Sequence, residues 1–349
     1  MMKTHIEHIE DLVFDGNSGL KKSVTMLKNI CQSPENLSVK YDGMPAVIFG
    51  RDSSGNFILT DKVGFNAKKY DGKPTSEEGL VSMILARNSK FGNKEEYAAK
   101  MAYVRRLLET VVPKDFRGYL WGDLLWVKMP NPNEDFVFKP NVVTYVVRKH
   151  TEEMRQIFQK PVGIAIHYYL ESPQHSPVVC DEYEFFNNSR VYLFSSKVDV
   201  EYNCDQRLLS SLDSLALNRD YDFVVKSPTI PSILRRYVNY LIRTNNYDRI
   251  SEIFKTWVIS ANIPEKDKSQ MIKTYDENKL YFDYMFDLHK FITKAKLYLL
   301  RQLNQIPRKF DSYVGDKRTG EGFVYNDLLQ PLKLVDREVF SHANFAKNK

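Results

Sequence analysis

The sequence predicts a mixed α+β protein in which a strand-rich domain is interrupted by an all-helical module and completed by the C-terminal segment. Three observations carry this. Runs of β-branched and aromatic residues bounded by turn residues crowd residues 37 to 63 and 118 to 170. Apolar residues recur every three or four positions from about Asp205 to Ile306, and strand character resumes at Gly322. The expected boundaries are 1–200 for the first part of the strand-rich domain, 201–308 for the inserted helices and 309–349 for the closing strands.

Each element has its own signal. Leu20, Val24, Leu27 and Ile30 at helical spacing predict a helix over 19–31, capped by Asn17 or Ser18. Strands follow at Leu37 to Lys40, Pro45 to Arg51 and Asn56 to Val63, the last two joined by the turn-rich Arg51-Asp52-Ser53-Ser54-Gly55. Thr75 or Ser76, with Glu77 and Glu78 in the first turn, starts a helix carrying Leu80, Met83, Ile84 and Leu85, and a second helix covers Glu95 to Val111. Strands are expected at Gly118 to Val127, Phe136 to Val147 and Val162 to Leu170, with a short helix over Thr151 to Phe158. Further helices are expected at Ile233 to Ile242, Ile250 to Ser260 and Tyr275 to Leu303. The last carries an apolar face of Leu280, Tyr284, Leu288, Phe291, Ala295 and Tyr298. Gly322 to Tyr325 and Leu332 to Val335 close the pattern as strands.

Composition excludes several classes. The 349 residues are 43% hydrophobic and 13% aromatic, which suits a globular core and not a disordered chain. Cys31, Cys180 and Cys204 are far apart and lack Cys-x-x-Cys or Cys/His spacing, which argues against a zinc site and a secreted disulfide framework and for a reducing compartment. No run approaches the roughly 18 apolar residues of a membrane span, and the N-terminus has no apolar leader, so a cytoplasmic, unprocessed chain is expected. A net charge of +6 permits a polyanionic partner without requiring one. Its basic groups, such as Arg105-Arg106, Arg235-Arg236 and Lys294 with Lys296, read mainly as solvated helix faces. His5 and His8 with Glu7 and Glu10 read as solvent-facing rather than metal-binding.

The tetrapeptide Lys40-Tyr41-Asp42-Gly43 lies between two strand signals, a setting that suits a lysine used as a covalent nucleophile. On an extended segment Lys40 and Asp42 would share a face. The same letters recur at Lys69-Tyr70-Asp71-Gly72, but there a polar stretch precedes and Lys73-Pro74 comes after, so that copy reads as a surface turn.

The first copy and several downstream segments resemble the covalent nucleotidyltransferase superfamily, the ATP-dependent DNA and RNA ligases and capping enzymes with their Lys-x-Asp-Gly nucleophile. Thr60-Asp61-Lys62-Val63-Gly64, Gly118-Tyr119-Leu120-Trp121-Gly122-Asp123-Leu124, Val162 to Tyr168, Glu321-Gly322-Phe323-Val324 and Leu332-Lys333-Leu334-Val335 are similar to its further blocks, in order. His5 to His8, Asp11 to Phe14, Val39 to Ala46 and Trp121 to Leu125 also look like a family of tailed-bacteriophage proteins of unassigned function. A host-cytoplasmic phage protein would fit that likeness.

The resemblance implies a ligase-type domain of antiparallel sheets flanked by helices, with ATP as donor, Mg2+ as cofactor and nucleic-acid ends as substrate. Lys40 would carry AMP, with Val39, Asp42, Gly43, Lys62, Asp123, His167 and Lys333 around the nucleotide and Glu321 and Asp123 on the metal. Lys62 and Lys333 are the cations expected to lower the Lys40 pKa. Lys333 would neutralise the α-phosphate, Asp42 would orient Lys40 or a metal-bound water, and His167 or Tyr168 would stack on adenine unless it is simply core. Asp123 stands where the superfamily usually has Glu, and Pro45 stands where its DNA ligases commonly carry Arg. Only 16 residues follow Lys333 and 39 precede Lys40, so neither an OB-fold nor an NAD-binding domain is expected, which favours ATP and RNA ends over DNA nicks. The helical module, with Lys226, Arg235, Arg236, Arg243 and Arg249 among Tyr237, Tyr240 and Tyr247, would hold the strand, unless it is a plain bundle. Nucleotidyl transfer to a protein or small molecule, and a binding protein that has lost catalysis, are the alternatives.

Overall fold

Local pattern becomes regular structure in a computed structural model that describes residues 7–32, 36–66, 73–88, 92–180, 190–198, 205–213, 215, 220–306, 308–326 and 331–340. The elements begin with β1 (Glu7–His8), a 3-10 helix (Ile9–Asp15), α1 (Gly16–Gln32), β2 (Leu37–Val39), β3 (Ala46–Arg51), β4 (Phe57–Asp61) and α2 (Lys62–Phe65). Next come α3 (Glu77–Leu85), α4 (Lys94–Val111), β5 (Gly118–Val127), β6 (Phe136–Phe138), β7 (Thr144–Val147), α5 (Glu152–Ile157) and β8 (Val162–Leu170). Then come β9 (Val178–Val179), β10 (Val191–Ser195), α6 (Gln206–Asp213), α7 (Thr229–Arg243), α8 (Phe254–Ser260), α9 (Glu265–Glu277) and α10 (Lys279–Leu303). The chain closes with β11 (Asp311–Val314), β12 (Lys317–Arg318), β13 (Phe323–Tyr325) and β14 (Leu332–Leu334). No helix among the described residues is long and apolar enough to cross a membrane.

Two compact units divide the chain, one of residues 1–3, 38–197 and 308–321, the other of 4–37, 198–307 and 322–349. Boundaries at 200 and 308 follow local composition; the structural boundaries follow contacts between distant segments, which assign the N-terminal segment 4–37 and the last strands to the helical unit.

In the first unit, one sheet runs β10-β8-β5-β3-β4, with β9 on β8. β3 pairs antiparallel with β4 and β5, β5 antiparallel with β8, and β10 parallel with β8. A second sheet has the order β12-β11-β7-β6. The predicted strand over 136–147 is thus two strands, because residues 139–143 leave the ladder to make a loop that the site uses. Ser76 caps α3 by accepting from Gly79 N–H, and Asn93 caps α4 by accepting from Glu96 N–H. Arg105 on α4 is buried rather than solvated; it donates to the carbonyls of Phe57 and Thr75 and packs on the Phe57 ring.

In the second unit β14 lies between β1, to which it is parallel, and β13, to which it is antiparallel. α1 extends about one turn further N-terminal than expected, and its capping group is tertiary: Asp222 accepts from the Asn17 N–H at 2.6 Å. The helix expected over 275–303 breaks at Asn278 into α9 and α10. Its buried stripe includes Phe282, Met285, Phe286, His289, Ile292, Lys296 and Leu299, while Leu280 is 73% exposed. Of the predicted face, Leu288 and Ala295 are buried and Tyr284, Phe291 and Tyr298 are half-buried; the buried stripe is wider and takes in the polar His289 and Lys296.

Those two side chains meet Glu10, expected in solvent, and its neighbour Asp11. Lys296 donates to Glu10 at 2.6 Å, Arg337 pairs with Asp11 at 2.8 Å and Glu10 at 3.3 Å, and His289 lies 3.2 Å from Asp11 and stacks on Phe14. Buried ions survive in an apolar interior only when so paired. Burial, with the charge of Arg337 beside it, lowers His8 to about 3, so it is neutral there; His5 lies outside the described residues. Cys31 is disulfide-bonded, which spacing along the sequence had argued against; such spacing does not report distance in space.

Candidate functional site

Lys40 leaves the end of β2 on a segment anchored at every neighbouring residue. Val39 N–H donates to the Ser196 carbonyl at 2.6 Å. Tyr41 is buried edge-on against Phe194, with ring centroids 5.2 Å apart, and against Phe310 at 6.3 Å. Asp42 accepts from Asn141 Nδ2 at 2.8 Å and from the backbone N–H groups of Val142 at 2.5 Å and Val143 at 2.8 Å. Its own N–H donates to the Tyr145 hydroxyl at 2.7 Å. Gly43 crosses β5 so closely that a Cβ there would stand 2.4 Å from Cβ of Asp123. The strand pairing continues from this crossing, with Met44 N–H donating to Leu124 O and Leu124 N–H to Pro45 O, both at 3.0 Å, and with Ala46 opposite Asp123.

With its neighbours fixed, the Lys40 side chain forms an ion pair with Glu321, the pair being 22% and 15% exposed. Burial favours the neutral amine, but Glu321, Asp123 and Asp42 together outweigh it and hold the Lys40 pKa above the ordinary lysine value. Burial, opposed by Lys40 and reinforced by Asp42 and Asp123, raises the Glu321 pKa. The other Glu321 oxygen, Oε2, is buried without a hydrogen-bond partner.

Lys62 completes the charged group. Burial, offset by Asp123 and aided by Lys40, lowers its pKa, and its amine lies 5.4 Å from the Trp121 ring centroid. It opens α2 instead of lying on a strand, because Asp61 ends β4 by capping that helix through Gly64 N–H at 2.8 Å. Arg87 binds the Asp61 carboxylate with both terminal nitrogens, and the Tyr97 hydroxyl donates to it at 2.8 Å. Burial would raise the Asp61 pKa; these donors prevail and lower it.

Asp123 and His167 meet across a defect in the sheet. Trp121 pairs with Tyr168 and Gly122 with Ile166, so His167 is the extra residue of a β-bulge. Its Nε2 is 3.1 Å from Asp123 Oδ2 and its Nδ1 is 2.9 Å from Ser196 Oγ. Tyr168 lies beside Trp121 with ring centroids 5.6 Å apart, and burial, with Asp123 nearby, pushes its phenol up to about 12.

The first unit therefore gathers Val39, Lys40, Asp42, Gly43, Lys62, Asp123, His167 and Glu321. Lys333 belongs to the second unit, where it pairs with Val324 and His8 in register. Asp42 gives both oxygens to residues 141–143, so it holds the loop and acts on the amine through its charge. His167 is tied through both ring nitrogens, and Tyr168, the other residue expected to stack, lies beside Trp121. The Lys40 pKa is raised, since carboxylates outnumber cations around it. Ser196 and Asn141 were missed, and no spacing in the sequence signals them. The second Lys-Tyr-Asp-Gly copy lies outside the described residues.

Among the basic residues of the helical unit, Arg235 is bound by Asp15, Arg236 by the Asn262 carbonyl and Arg249 by Glu252. Tyr237 is fully buried and donates to Ile250 O, and Tyr247 is bonded to His289 and Thr293. These two rings pack within the unit instead of facing a strand.

No cluster of three or more His, Cys, Asp or Glu residues set to hold a metal occurs among the described residues. An ion held by one or two carboxylates plus phosphate oxygens needs no such cluster, and the unpartnered Oε2 of Glu321 fits that mode. No curated protein and no solved structure is significantly similar to the chain. The chain matches a family of unknown function, DUF6267, over residues 3–349, and belongs to it.

Proposed function

We propose that this protein is an ATP-dependent nucleotidyltransferase of the ligase type, carrying AMP on Lys40 and passing it to nucleic-acid ends, RNA in preference to DNA nicks. One observation supports the reading above the rest: Lys40, Lys62, Asp123 and Glu321, scattered over 281 residues between the first and the last, share one electrostatic cluster in the first unit.

In this reading the neutral Lys40 amine attacks the α-phosphorus of ATP. The N–P bond forms as the bond from Pα to the bridging oxygen breaks, and pyrophosphate departs with that electron pair. The amine must first lose its proton, and the Glu321 carboxylate hydrogen-bonded to it is the nearest acceptor. Lys62 would face the phosphates, and Trp121 with Tyr168 would offer their half-buried faces to the base. Glu321 and Asp123 would hold Mg2+, which when bound neutralises phosphate charge.

A second reading, nucleotide or nucleic-acid binding without catalysis, draws on the raised pKa of Lys40, which keeps the resting amine charged. Incubation with α-labelled ATP and Mg2+ followed by denaturing electrophoresis separates the two. The catalytic reading expects label on the wild type and none on Lys40→Ala; label that persists in Lys40→Ala, or no label on the wild type, overturns it. Label that never reaches a 5′-phosphorylated RNA or DNA would redirect the transfer to a protein or a small molecule.

A further inference from the structure

We infer that Ser196, His167 and Asp123 form a positioning relay that sets both ends of the Lys40 loop. Each link is a direct contact or a close approach. Ser196 O accepts from Val39 N–H at 2.6 Å, one residue before the lysine. Ser196 Oγ meets His167 Nδ1 at 2.9 Å, and His167 Nε2 meets Asp123 Oδ2 at 3.1 Å. Asp123 lies under Gly43, where an added methyl would come within 2.4 Å of the Asp123 Cβ. The chain of contacts thus starts beside residue 39 and ends beneath residue 43, with Lys40 between.

Two features make the relay directional. A carboxylate only accepts, so Nε2 donates to Asp123, and in the neutral imidazole Nδ1 then accepts from the Ser196 hydroxyl. The bulge frees His167 from strand pairing on the β5 side, which lets the ring lie between β5 and the segment after β10. Ser196 N–H also donates to Ile166 O at 2.9 Å, so the serine is held to the strand that carries the bulge.

The order Ser, His, Asp also occurs in hydrolases, but that chemistry does not suit this arrangement. Ser196 is 1% exposed and cannot meet a substrate. His167 and Ser196 are therefore positioning residues: they hold one Asp123 oxygen and the backbone at Val39, and leave the other Asp123 oxygen for the cations of the site.

The inference rests on the proposed function only for its kinetic consequence, so the test has two arms on the full-length protein. Amide hydrogen exchange by mass spectrometry follows residues 38–44 in the wild type, Ser196→Ala, His167→Ala and His167→Gln, with α10 as internal reference. Loss of either link is expected to accelerate exchange at 38–44 roughly tenfold, the effect of about one hydrogen bond, while α10 is unchanged. His167→Gln, which keeps an N–H donor for Asp123, should recover part of the protection. In the second arm, Ser196→Ala and His167→Gln should raise the ATP concentration that gives half the maximal labelling rate, while the maximal single-turnover rate stays within about twofold. Exchange at 38–44 indistinguishable from wild type in both alanine variants overturns the relay. An unlabelled wild type overturns the proposed function instead, and the exchange arm still decides the relay.

Discussion

The Lys40 ammonium is ion-paired with the carboxylate of Glu321, 281 residues later in the chain. Each sets the charge state of the other, and both are largely withdrawn from water. The Lys40 pKa is raised in the folded state, so its contribution to stability is full below the ordinary lysine range and is lost as pH rises through the raised value.

Replacing Glu321 by Gln removes the largest favourable charge on Lys40. The amine pKa should fall, and stability at neutral pH should drop by roughly 1–3 kcal/mol, less than for a fully buried pair because both groups retain some exposure. Competitive acetylation of Lys40 across pH, read by mass spectrometry, should show its midpoint moving down. Nucleotide labelling should decline at the same time, because the carboxylate that would hold Mg2+ is gone. An unmoved midpoint would show that Glu321 does not control the amine.

Asp42→Asn tests the loop anchor. An amide cannot accept at both positions, and its NH2 would face N–H donors from Asn141, Val142 or Val143. A loss of about 2–3 kcal/mol is expected in urea unfolding, with labelling reduced through the displaced loop. A cost below about 0.5 kcal/mol would mean that the loop at 141–143 is held by other contacts.

Gly43→Ala puts a methyl where Asp123 Cβ would be at 2.4 Å and Leu124 O at 3.0 Å. Neither neighbour is the free end of a flexible chain, so the loop must shift. The expected cost is roughly 1–3 kcal/mol, measured by thermal or urea unfolding. Labelling on Lys40 should fall further than the stability loss explains, which a glycine chosen only for flexibility would not produce.

Acid should destabilise the second unit in two overlapping windows. His8, lowered by burial to about 3, contributes stability that is full above its ordinary value near 6.5 and is lost as pH falls toward 3. Burial would raise the Glu10 pKa, but Lys296, His8 and Arg337 bring it to about 2, so its contribution is lost as pH falls from about 4.5 to 2. Unfolding free energy measured from about pH 7 to 3 should decline with a slope approaching about 1.4 kcal/mol per pH unit for each proton taken up. His8→Gln should flatten the part between about pH 6.5 and 4.5; an unchanged slope would place the titrating group elsewhere.

Most of the secondary structure, and the strand that leads into Lys40, are legible from local residue patterns. The strands 118–127 and 162–170 match β5 and β8 residue for residue, because a strand's apolar runs and turn residues act within a few positions. The Ser76 cap follows from the same local chemistry. Lys40, Lys62, Asp123, His167 and Glu321 were each legible as candidates, since order along the chain needs no geometry. Tertiary structure alone decided what they touch. Asp42 binds Asn141, Val142 and Val143 because the loop after β6 brings their N–H groups to its carboxylate, and His167 is pinned because a bulge, which no residue type announces, frees it from pairing with β5. The polar part of the buried α10 face depends on Glu10 and Asp11, 286 and 278 positions away from Lys296 and His289, which they make stable in the interior. Local propensity cannot carry that information: a buried charge is tolerated or forbidden by its partner, and partners are chosen only when distant segments close on one another.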